Sequence, residues 1–237
     1  MDQARAWLRS ASSVVVLTGA GISAESGMST FRGPGGTWKQ FRAEDLATPE
    51  AFTRDPKLVW EWYDWRRQKH AAAKPNAGHA ALVTLERKKE RFTLVTQNVD
   101  SLHEQAGSRD VIHLHGEIWM TRCTACGREQ REERTPLPEI PPRCERCGGL
   151  LRPGVVWFGE TLPREAWLRA EQAARTAEVL LVVGTSAVVY PAAALAPLAK
   201  ACGARVIECN IEETPFSAQL DRSFRGRASE LLPLLIG

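Results

Sequence analysis

The most constraining feature of this sequence is the placement of four of its six cysteines. They form two Cys-x-x-Cys pairs with 17 residues between them: Cys123 and Cys126, then Cys144 and Cys147. Each pair can place two thiolates on one tight turn, and two such turns complete a tetrahedral site that suits Zn²⁺. Two disulfides or unconnected thiols are the alternative, but the first residues lack the pattern of a secretory signal, which disfavours disulfides. Because four ligands leave no open position on the metal, we predict one structural zinc ion.

Composition and charge are those of an ordinary globular protein. Of the 237 residues, 43% are hydrophobic and 25% are charged, which excludes a disordered or fibrous chain. The net charge of +3 is too small to predict nucleic acid or an anionic membrane as the main partner. The apolar runs are shorter than the roughly 18 residues that a membrane-spanning helix needs. We therefore expect a soluble, cytoplasmic protein with no membrane partner.

Short apolar runs alternate with helical segments along the chain. This alternation predicts an α/β fold, in which a Rossmann-type, doubly wound parallel sheet binds ligands at the carboxyl ends of its strands. Two inserts interrupt the sheet within a single domain of residues 1–237: a helical insert at about 29–91 and a zinc-ribbon module at about 117–152. Strands are predicted at residues 14–17, 92–96, 111–115, 155–158, 179–183 and 205–209. Helices are predicted at residues 2–12, 58–74, 76–89, 164–177, 191–201 and 228–235.

A glycine-rich turn, Gly19-Ala20-Gly21, directly follows the first predicted strand. With Ala24 it fits the Gly-x-Gly-x-x-(Gly/Ala) pattern, in which backbone N–H groups and the start of the following helix bind a pyrophosphate. A plain glycine-rich turn is the alternative reading. An ordinary dinucleotide fold also places a ribose-binding acid about 20 residues further on, at the end of a second strand. Since residues 29–53 are not strand-like, we predict a dinucleotide whose nicotinamide end is bound in an unusual way.

Motifs along nearly the whole chain resemble those of the sirtuins, the NAD-dependent protein-lysine deacylases. They are Gly19-Ala20-Gly21-Ile22-Ser23, Glu25-Ser26-Gly27, Phe31-Arg32, Thr96-Gln97-Asn98-Val99-Asp100, His115-Gly116, both cysteine pairs, residues 153–160 and Gly184-Thr185-Ser186. A small departure is Met28-Ser29, where many members carry an aliphatic residue and proline. The resemblance implies a Rossmann domain and a zinc module with an acylated lysine threaded between them. It also implies NAD as co-substrate, with nicotinamide and O-acyl-ADP-ribose as products.

The resemblance assigns roles to particular residues. His115 matches the base that activates a ribose hydroxyl, and Asn98 matches a residue that orders ribose and water. His113 stands two residues away on the same predicted strand, but only His115 precedes a glycine; a satisfied core histidine is the alternative. The implied cofactor-binding residues are Gly19, Ala20, Gly21, Glu25, Phe31, Arg32, Gln97, Asn98, Asp100, Gly184, Thr185, Ser186, Asn210, Glu212 and Ala228. His70, His79 and His103 lack such a motif, and we expect them to be structural.

Tyr63 and Arg66 bear on the choice of acyl group. They are three residues apart on a predicted helix, so they share a face. Arginine presents a planar pair of donors that matches a carboxylate, and tyrosine adds a hydroxyl. Such a Tyr-x-x-Arg pair resembles bacterial and archaeal sirtuins that remove succinyl and malonyl groups, and Ala47 matches a residue that widens their acyl pocket. A solvated arginine beside a packed tyrosine is the alternative. The implied substrate-binding residues are Ala47, Tyr63, Arg66, Val156 and Phe158.

Other functions remain as alternatives. Mono-ADP-ribosyl transfer would use the same NAD site, and the sequence separates it poorly from deacylation. A non-enzymatic zinc-ribbon protein that binds nucleic acid is disfavoured, because residues 117–160 carry seven arginines and seven glutamates, and zinc with four thiolates makes that segment negative. Hydride transfer is disfavoured because the usual ribose-binding acid is missing. The remaining cysteines, Cys202 and Cys209, are expected to be buried core thiols.

Overall fold

The computed structural model describes residues 1–30 and 42–237, so Phe31 and Arg32 lie outside the described residues. Its strands are β1 Ser13–Thr18, β2 Arg91–Thr96, β3 Val111–His113, β4 Gly116–Cys123, β5 Glu129–Arg131, β6 Leu151–Val155, β7 Val179–Val183, β8 Arg205–Asn210 and β9 Arg222–Arg225. Its helices are α1 Asp2–Ser10, α2 Ala43–Leu46, α3 Pro49–Arg54, α4 Pro56–Ala72, α5 Ala77–Lys88, α6 Leu102–Ala106, α7 Arg164–Thr176, α8 Leu195–Ala201 and α9 Ala228–Ile236. In the described part of the chain, no helix is long and apolar enough to cross a membrane.

A six-stranded sheet in the order β3-β2-β1-β7-β8-β9 forms the centre of the fold, and all of its strand pairs are parallel. Every residue of β1 is buried, which agrees with its apolar, β-branched sequence. One face of the sheet packs on α1, α5 and α9, and the other on α7 and α8. The predicted doubly wound parallel sheet is therefore confirmed. The strand order reverses between β1 and β7, where such sheets bind ligands.

Helices α2 to α5 connect β1 to β2 and lie within the predicted insert of residues 29–91, whose limits stay a prediction. Their starts are set by local chemistry. Thr48 and Asp55 accept hydrogen bonds from Ala51 N and Leu58 N at 3.1 and 2.9 Å, and a proline follows each cap. Asn76 caps α5 as predicted, with a bond of 2.8 Å from Gly78 N.

A smaller antiparallel sheet, in the order β5-β4-β6, forms the zinc-ribbon module. The predicted strand at residues 155–158 is wrong, because β6 ends at Val155 and the chain then turns, with Val156 N donating to the His115 carbonyl at 2.9 Å. The predicted third strand is also too long. It pairs with β2 only as far as His113, and His115 lies in the turn that precedes β4.

One stripe of α4 joins this module to the helical insert. Trp60 Nε1 donates to the Leu151 carbonyl at 2.7 Å, and Asp64 accepts from Leu137 N at 2.9 Å. Arg67, which is 0% exposed, donates to three backbone carbonyls of the module, including that of Ile118 at 3.4 Å. These three residues, the module-facing stripe of α4, recur at intervals of three and four residues and so lie on one helix face. They fix the position of α4 against the module.

Candidate active site

A cavity of about 620 Å³ lies at the carboxyl ends of strands β1, β2, β7 and β8. It extends to residues 155–160, where the chain leaves strand β6 of the zinc module. Many residues of the predicted cofactor set line it: Gly19, Ala20, Gly21, Gln97, Asn98, Gly184, Thr185, Ser186, Asn210 and Glu212. His115 lines the same cavity, and so do the predicted substrate residues Ala47, Tyr63, Arg66, Val156 and Phe158. Residues from eight separate segments of the chain thus meet around one space.

Three other described members of the predicted cofactor set do not line the cavity. The Glu25 carboxylate accepts a bond from Ser229 N at 3.3 Å and lies 3.8 Å from Arg227, so it is directed to the start of α9. Ala228 is 5% exposed and packs in the core beside that contact. Asp100 is 5% exposed.

The glycine turn after β1 packs directly on the end of β7. Gly21 N donates to the Gly184 carbonyl at 2.8 Å, and a Cβ at Gly21 would lie 2.6 Å from Gly184 Cα. Gly184 has φ +59°, a conformation that other residues rarely adopt. The predicted helix after this turn is wrong: residues 20–22 and 24–26 form two single 3₁₀ turns. The glycines therefore allow the two main chains to pack against each other, and both segments also line the cavity. Because a wall without side chains lets main-chain groups approach a pyrophosphate closely, the site fits a dinucleotide.

Polar side chains next to the glycine turn, those of Ser23, Asn98 and Asp100, form a connected hydrogen-bond network. Ser23 Oγ donates to Asp100 at 2.9 Å, and Asn98 Nδ2 donates to Ser23 Oγ at 3.2 Å. Burial raises the pKa of Asp100, although Leu102 N and Ser23 oppose that effect by hydrogen bonding to the carboxylate. Ser23 is not among the predicted site residues. It does belong to the motif Gly19-Ala20-Gly21-Ile22-Ser23, and that motif is the sequence signal from which its role could have been predicted.

His115 rather than His113 faces the cavity. His115 Nδ1 lies 2.9 Å from the Gln97 carbonyl, an acceptor, so the proton is assigned to Nδ1 and Nε2 is left as the basic nitrogen. Burial lowers the pKa of His115, which favours the neutral ring. The glycine that follows is required: Gly116 has φ +72°, and a Cβ there would lie 2.2 Å from the Gly154 carbonyl.

His113 has a different environment two residues earlier. Its Nε2 lies 2.6 Å from Glu104. Burial disfavours the charged ring of His113, but the hydrogen bond and the charge of Glu104 outweigh burial and leave its pKa raised. A histidine with a raised pKa, whose Nε2 is already paired with a carboxylate, is a poor candidate for the base, which separates it chemically from His115.

At the far end of the cavity, α4 presents Tyr63 and Arg66. Trp157 Nε1 donates to the Tyr63 hydroxyl at 3.0 Å, and Phe158 N donates to the Ala47 carbonyl at 3.0 Å. Burial raises the pKa of Tyr63, so its hydroxyl stays protonated. Arg66 is half-buried at the cavity wall, which disagrees with the alternative of a solvated arginine.

The four paired cysteines converge on one point. Their sulfur atoms all lie within 4.8 Å of one another, with 3.5 Å between Cys123 and Cys147 and 3.8 Å between Cys126 and Cys144. A tetrahedron with Zn–S bonds of about 2.3 Å has edges of about 3.8 Å, so the four cysteines fit a structural zinc ion. Cys209 is a buried thiol as expected, but Cys202 is exposed because it ends α8 at the surface.

Comparison with known proteins gives a consistent result. The sequence pattern of the Sir2 family matches residues 19–191. The NAD-dependent protein deacylase of Aquifex aeolicus is 62% identical over 216 residues, which are 91% of this chain and 90% of that relative. A solved Sir2 homologue–NAD complex has a TM-score of 0.94 at 48% identity and covers 100% of this chain and 92% of that chain. A Sir2 structure with a deacetylated p53 peptide and 3′-O-acetyl ADP-ribose has a TM-score of 0.89 at 33% identity, covering 98% of this chain and 96% of that one. This chain belongs to the Sir2 family.

Proposed function

We propose that this chain is an NAD-dependent protein-lysine deacylase that removes succinyl and malonyl groups as well as acetyl groups. Its similarity to relatives named NAD-dependent protein deacylases supports the general activity. The observation that carries the acyl preference is the pair Tyr63 and Arg66, which line one cavity together with the small residue Ala47. Cytoplasmic location and the absence of a nucleic-acid partner remain predictions.

At the cofactor end of the cavity, we expect main-chain groups to bind the dinucleotide and side chains to orient it. NAD⁺ supplies an electrophilic ribose carbon, C1′, with nicotinamide as its leaving group. The glycine turn and Gly184 would lie against the pyrophosphate, while Thr185, Ser186, Asn210 and Glu212, which line the same cavity, would bind the adenosine half. Asn98 would contact the nicotinamide half, and Asp100, which does not line the cavity, would support it through Ser23. Gln97, which donates to Thr185 at 2.9 Å, would lie beside the ribose.

His115 moves the proton in this scheme. Its Nδ1–H is held by the Gln97 carbonyl, so Nε2 would accept the proton of a ribose hydroxyl after the acyl oxygen has displaced nicotinamide at C1′. The ribose oxygen would then attack the acyl carbon, and one water would complete the release of the lysine amine and of O-acyl-ADP-ribose. Because burial lowers the pKa of His115, the accepting form predominates at neutral pH. His115 is thus the general base of the proposed reaction.

At the acyl end, a dicarboxylic acyl group would place its free carboxylate between two donors. Arg66 offers a charge-assisted contact and Tyr63 a neutral one. Ala47, 5% exposed, leaves room that a larger side chain would fill. Val156 and Phe158 flank the lysine stem near the cavity mouth, where Phe158 is 43% exposed.

The decisive experiment uses three peptides of one sequence that carry acetyl-, succinyl- or malonyl-lysine. Each is incubated with the chain and NAD⁺, and nicotinamide release and product masses are measured. We expect NAD-dependent deacylation of all three, with O-acyl-ADP-ribose as product and no reaction of the unmodified peptide. Activity on the acetyl peptide alone would contradict the acyl preference. ADP-ribosylated protein in place of O-acyl-ADP-ribose would instead support mono-ADP-ribosyl transfer.

A further inference from the structure

Trp157 follows strand β6 at the exit of the zinc module and is 3% exposed. Its indole Nε1 lies 3.0 Å from the hydroxyl oxygen of Tyr63, on another segment of the chain. We propose that Trp157 is a positioning residue for acyl selectivity, which orients the Tyr63 hydroxyl so that its proton is donated to the carboxylate of the acyl group. The inference rests on the proposed removal of dicarboxylic acyl groups.

The direction of the hydrogen bond follows from the groups involved. An indole N–H can only donate, whereas a phenol can donate once and accept twice. Tyr63 must therefore accept from Trp157, while the guanidinium of Arg66 lies 5.5 Å from the centroid of the Tyr63 ring. With the indole N–H donating to its oxygen, the Tyr63 hydroxyl has its own proton left to donate. Tyr63 is 2% exposed, so water competes little for that proton.

The indole ring of Trp157 is itself held from several sides. The guanidinium of Arg152 lies 3.5 Å from the ring centroid, and the Phe52 ring centroid lies 5.4 Å away. Glu160 accepts from Trp157 N at 2.9 Å and pairs with Arg152 at 2.5 Å, so one carboxylate fixes both the main chain and the stacked cation. The indole N–H is therefore preorganised rather than free to follow Tyr63.

Together these contacts leave the Tyr63 proton available to the carboxylate of a succinyl group. An acetyl group carries no carboxylate, so it gains nothing from the orientation of the Tyr63 proton. Trp157 should therefore act on the ratio of desuccinylation to deacetylation, and should act through the Tyr63 hydroxyl alone.

The test compares kcat/KM for succinyl- and acetyl-lysine in one peptide sequence. Trp157→Phe keeps an aromatic ring and removes the donor, so we expect a loss of about 3- to 10-fold on the succinyl peptide and a smaller change on the acetyl peptide. The critical measurement repeats this substitution in a Tyr63→Phe background. There it should leave the selectivity ratio unchanged within about twofold, because the hydroxyl it orients is gone.

Trp7→Phe is the matched control, since it also removes an indole N–H, but Trp7 packs against the large sheet from α1 and does not line the cavity. It should lower thermal stability and leave the selectivity ratio unchanged. If Trp157→Phe does not fold, 3-benzothienylalanine at this position keeps the indole shape without the N–H and is expected to give the same loss.

The two proposals fail differently. A wild-type chain that is active on the acetyl peptide and inactive on the succinyl peptide overturns the acyl preference and this inference with it. A chain that removes both groups, but whose ratio is unchanged by loss of the Trp157 N–H, overturns this inference alone. The inference is also overturned if Trp157→Phe lowers the ratio of desuccinylation to deacetylation equally in the wild-type and Tyr63→Phe backgrounds. Trp157 would then act through the shape of its ring and not through the Tyr63 hydroxyl.

Discussion

The two ends of the cavity are built in different ways. At the cofactor end, neighbouring strands of one parallel sheet stop at the same edge, and the contacts between Gly21 and Gly184 are made by the main chain. At the acyl end, Ala47, the helix α4 and the turn after β6 come from three segments that no common sheet connects. Side-chain contacts such as that of Trp157 with Tyr63 hold this end together.

This difference teaches that one cavity can have two independent structural supports. The cofactor end depends on the packing of the large sheet. The acyl end depends on the docking of the zinc module onto the module-facing stripe of α4, Trp60, Asp64 and Arg67. Damage to the first should impair every substrate equally, and damage to the second should impair acyl handling before nucleotide binding.

Removal of zinc should have the largest effect. Structural zinc contributes roughly 10 kcal/mol or more to the folding of small zinc domains, so Cys123→Ala should release the metal and lower the melting temperature by about 10 °C or more. Below the new melting temperature, deacylation should be lost while ADP-ribose still binds, as measured by calorimetry. Cys202→Ala, which removes an exposed thiol outside the cluster, should change neither zinc content nor stability. A zinc-free chain with full activity would remove the distinction between the two ends.

Replacement of the proposed base should have the next largest effect. His115→Ala should lower kcat/KM by about 10²- to 10⁴-fold on the acetyl and succinyl peptides alike, because proton transfer at the ribose is common to both. Melting temperature and NAD⁺ affinity should change little. His113→Gln replaces the other histidine of this segment and should cost less than about tenfold. Unequal losses on the two peptides would mean that His115 also contacts the acyl group.

Arg66→Met should produce a smaller and selective effect. Loss of a charge-assisted contact worth about 1.5–3 kcal/mol lowers kcat/KM for the succinyl peptide by roughly 10- to 150-fold. The rate on the acetyl peptide should change by only a few-fold. Arg87→Met, on the exposed side of α5, serves as control. Equal losses on both peptides would assign Arg66 to support of the fold or the cofactor, and no loss on either would leave the acyl preference without its main residue.

The smallest effect concerns pH. Burial lowers the pKa of His115, so its neutral, proton-accepting form persists to lower pH than that of an ordinary histidine. At pH 6.0 an imidazole with a pKa of about 6.5 is roughly one quarter neutral, and kcat/KM should retain more than that fraction of its value at pH 7.5. The acid limb of the pH profile should coincide for acetyl and succinyl peptides. Separate limbs would show that a group at the acyl end also titrates.

Much of the sheet and the cofactor end could be predicted from the sequence. β1 and β7 are continuous apolar, β-branched runs, and a strand buried on both faces needs that composition. The glycine turn and His115-Gly116 are recognisable because close backbone approach or positive φ restricts those positions to glycine. The zinc site could be predicted from the two Cys-x-x-Cys pairs, because two thiolates at this spacing lie on one turn and two such turns make a four-thiolate site.

The rest depends on contacts between distant segments, which local patterns do not encode. The ends of β3 and β6 are set by where their partner strands stop, and the direction of the Glu25 carboxylate by Ser229 at the start of α9. Arg67 carries no motif, and in the sequence it is one of many charged residues on a long helix. Its burial follows only from the module folding over α4.

The pairing of β1 has a consequence for synthesis of the chain on the ribosome. β1 is among the first segments made, yet one of its two neighbours, β7, is paired through Val14 and Val179, about 165 residues later. At roughly 5–20 residues per second, translation leaves that edge of a strand with four consecutive apolar residues, Val14 to Leu17, without its partner for about ten to thirty seconds. During this interval the nascent strand can pair with another copy of itself, so efficient production should depend on chaperones that bind the emerging N-terminal segment.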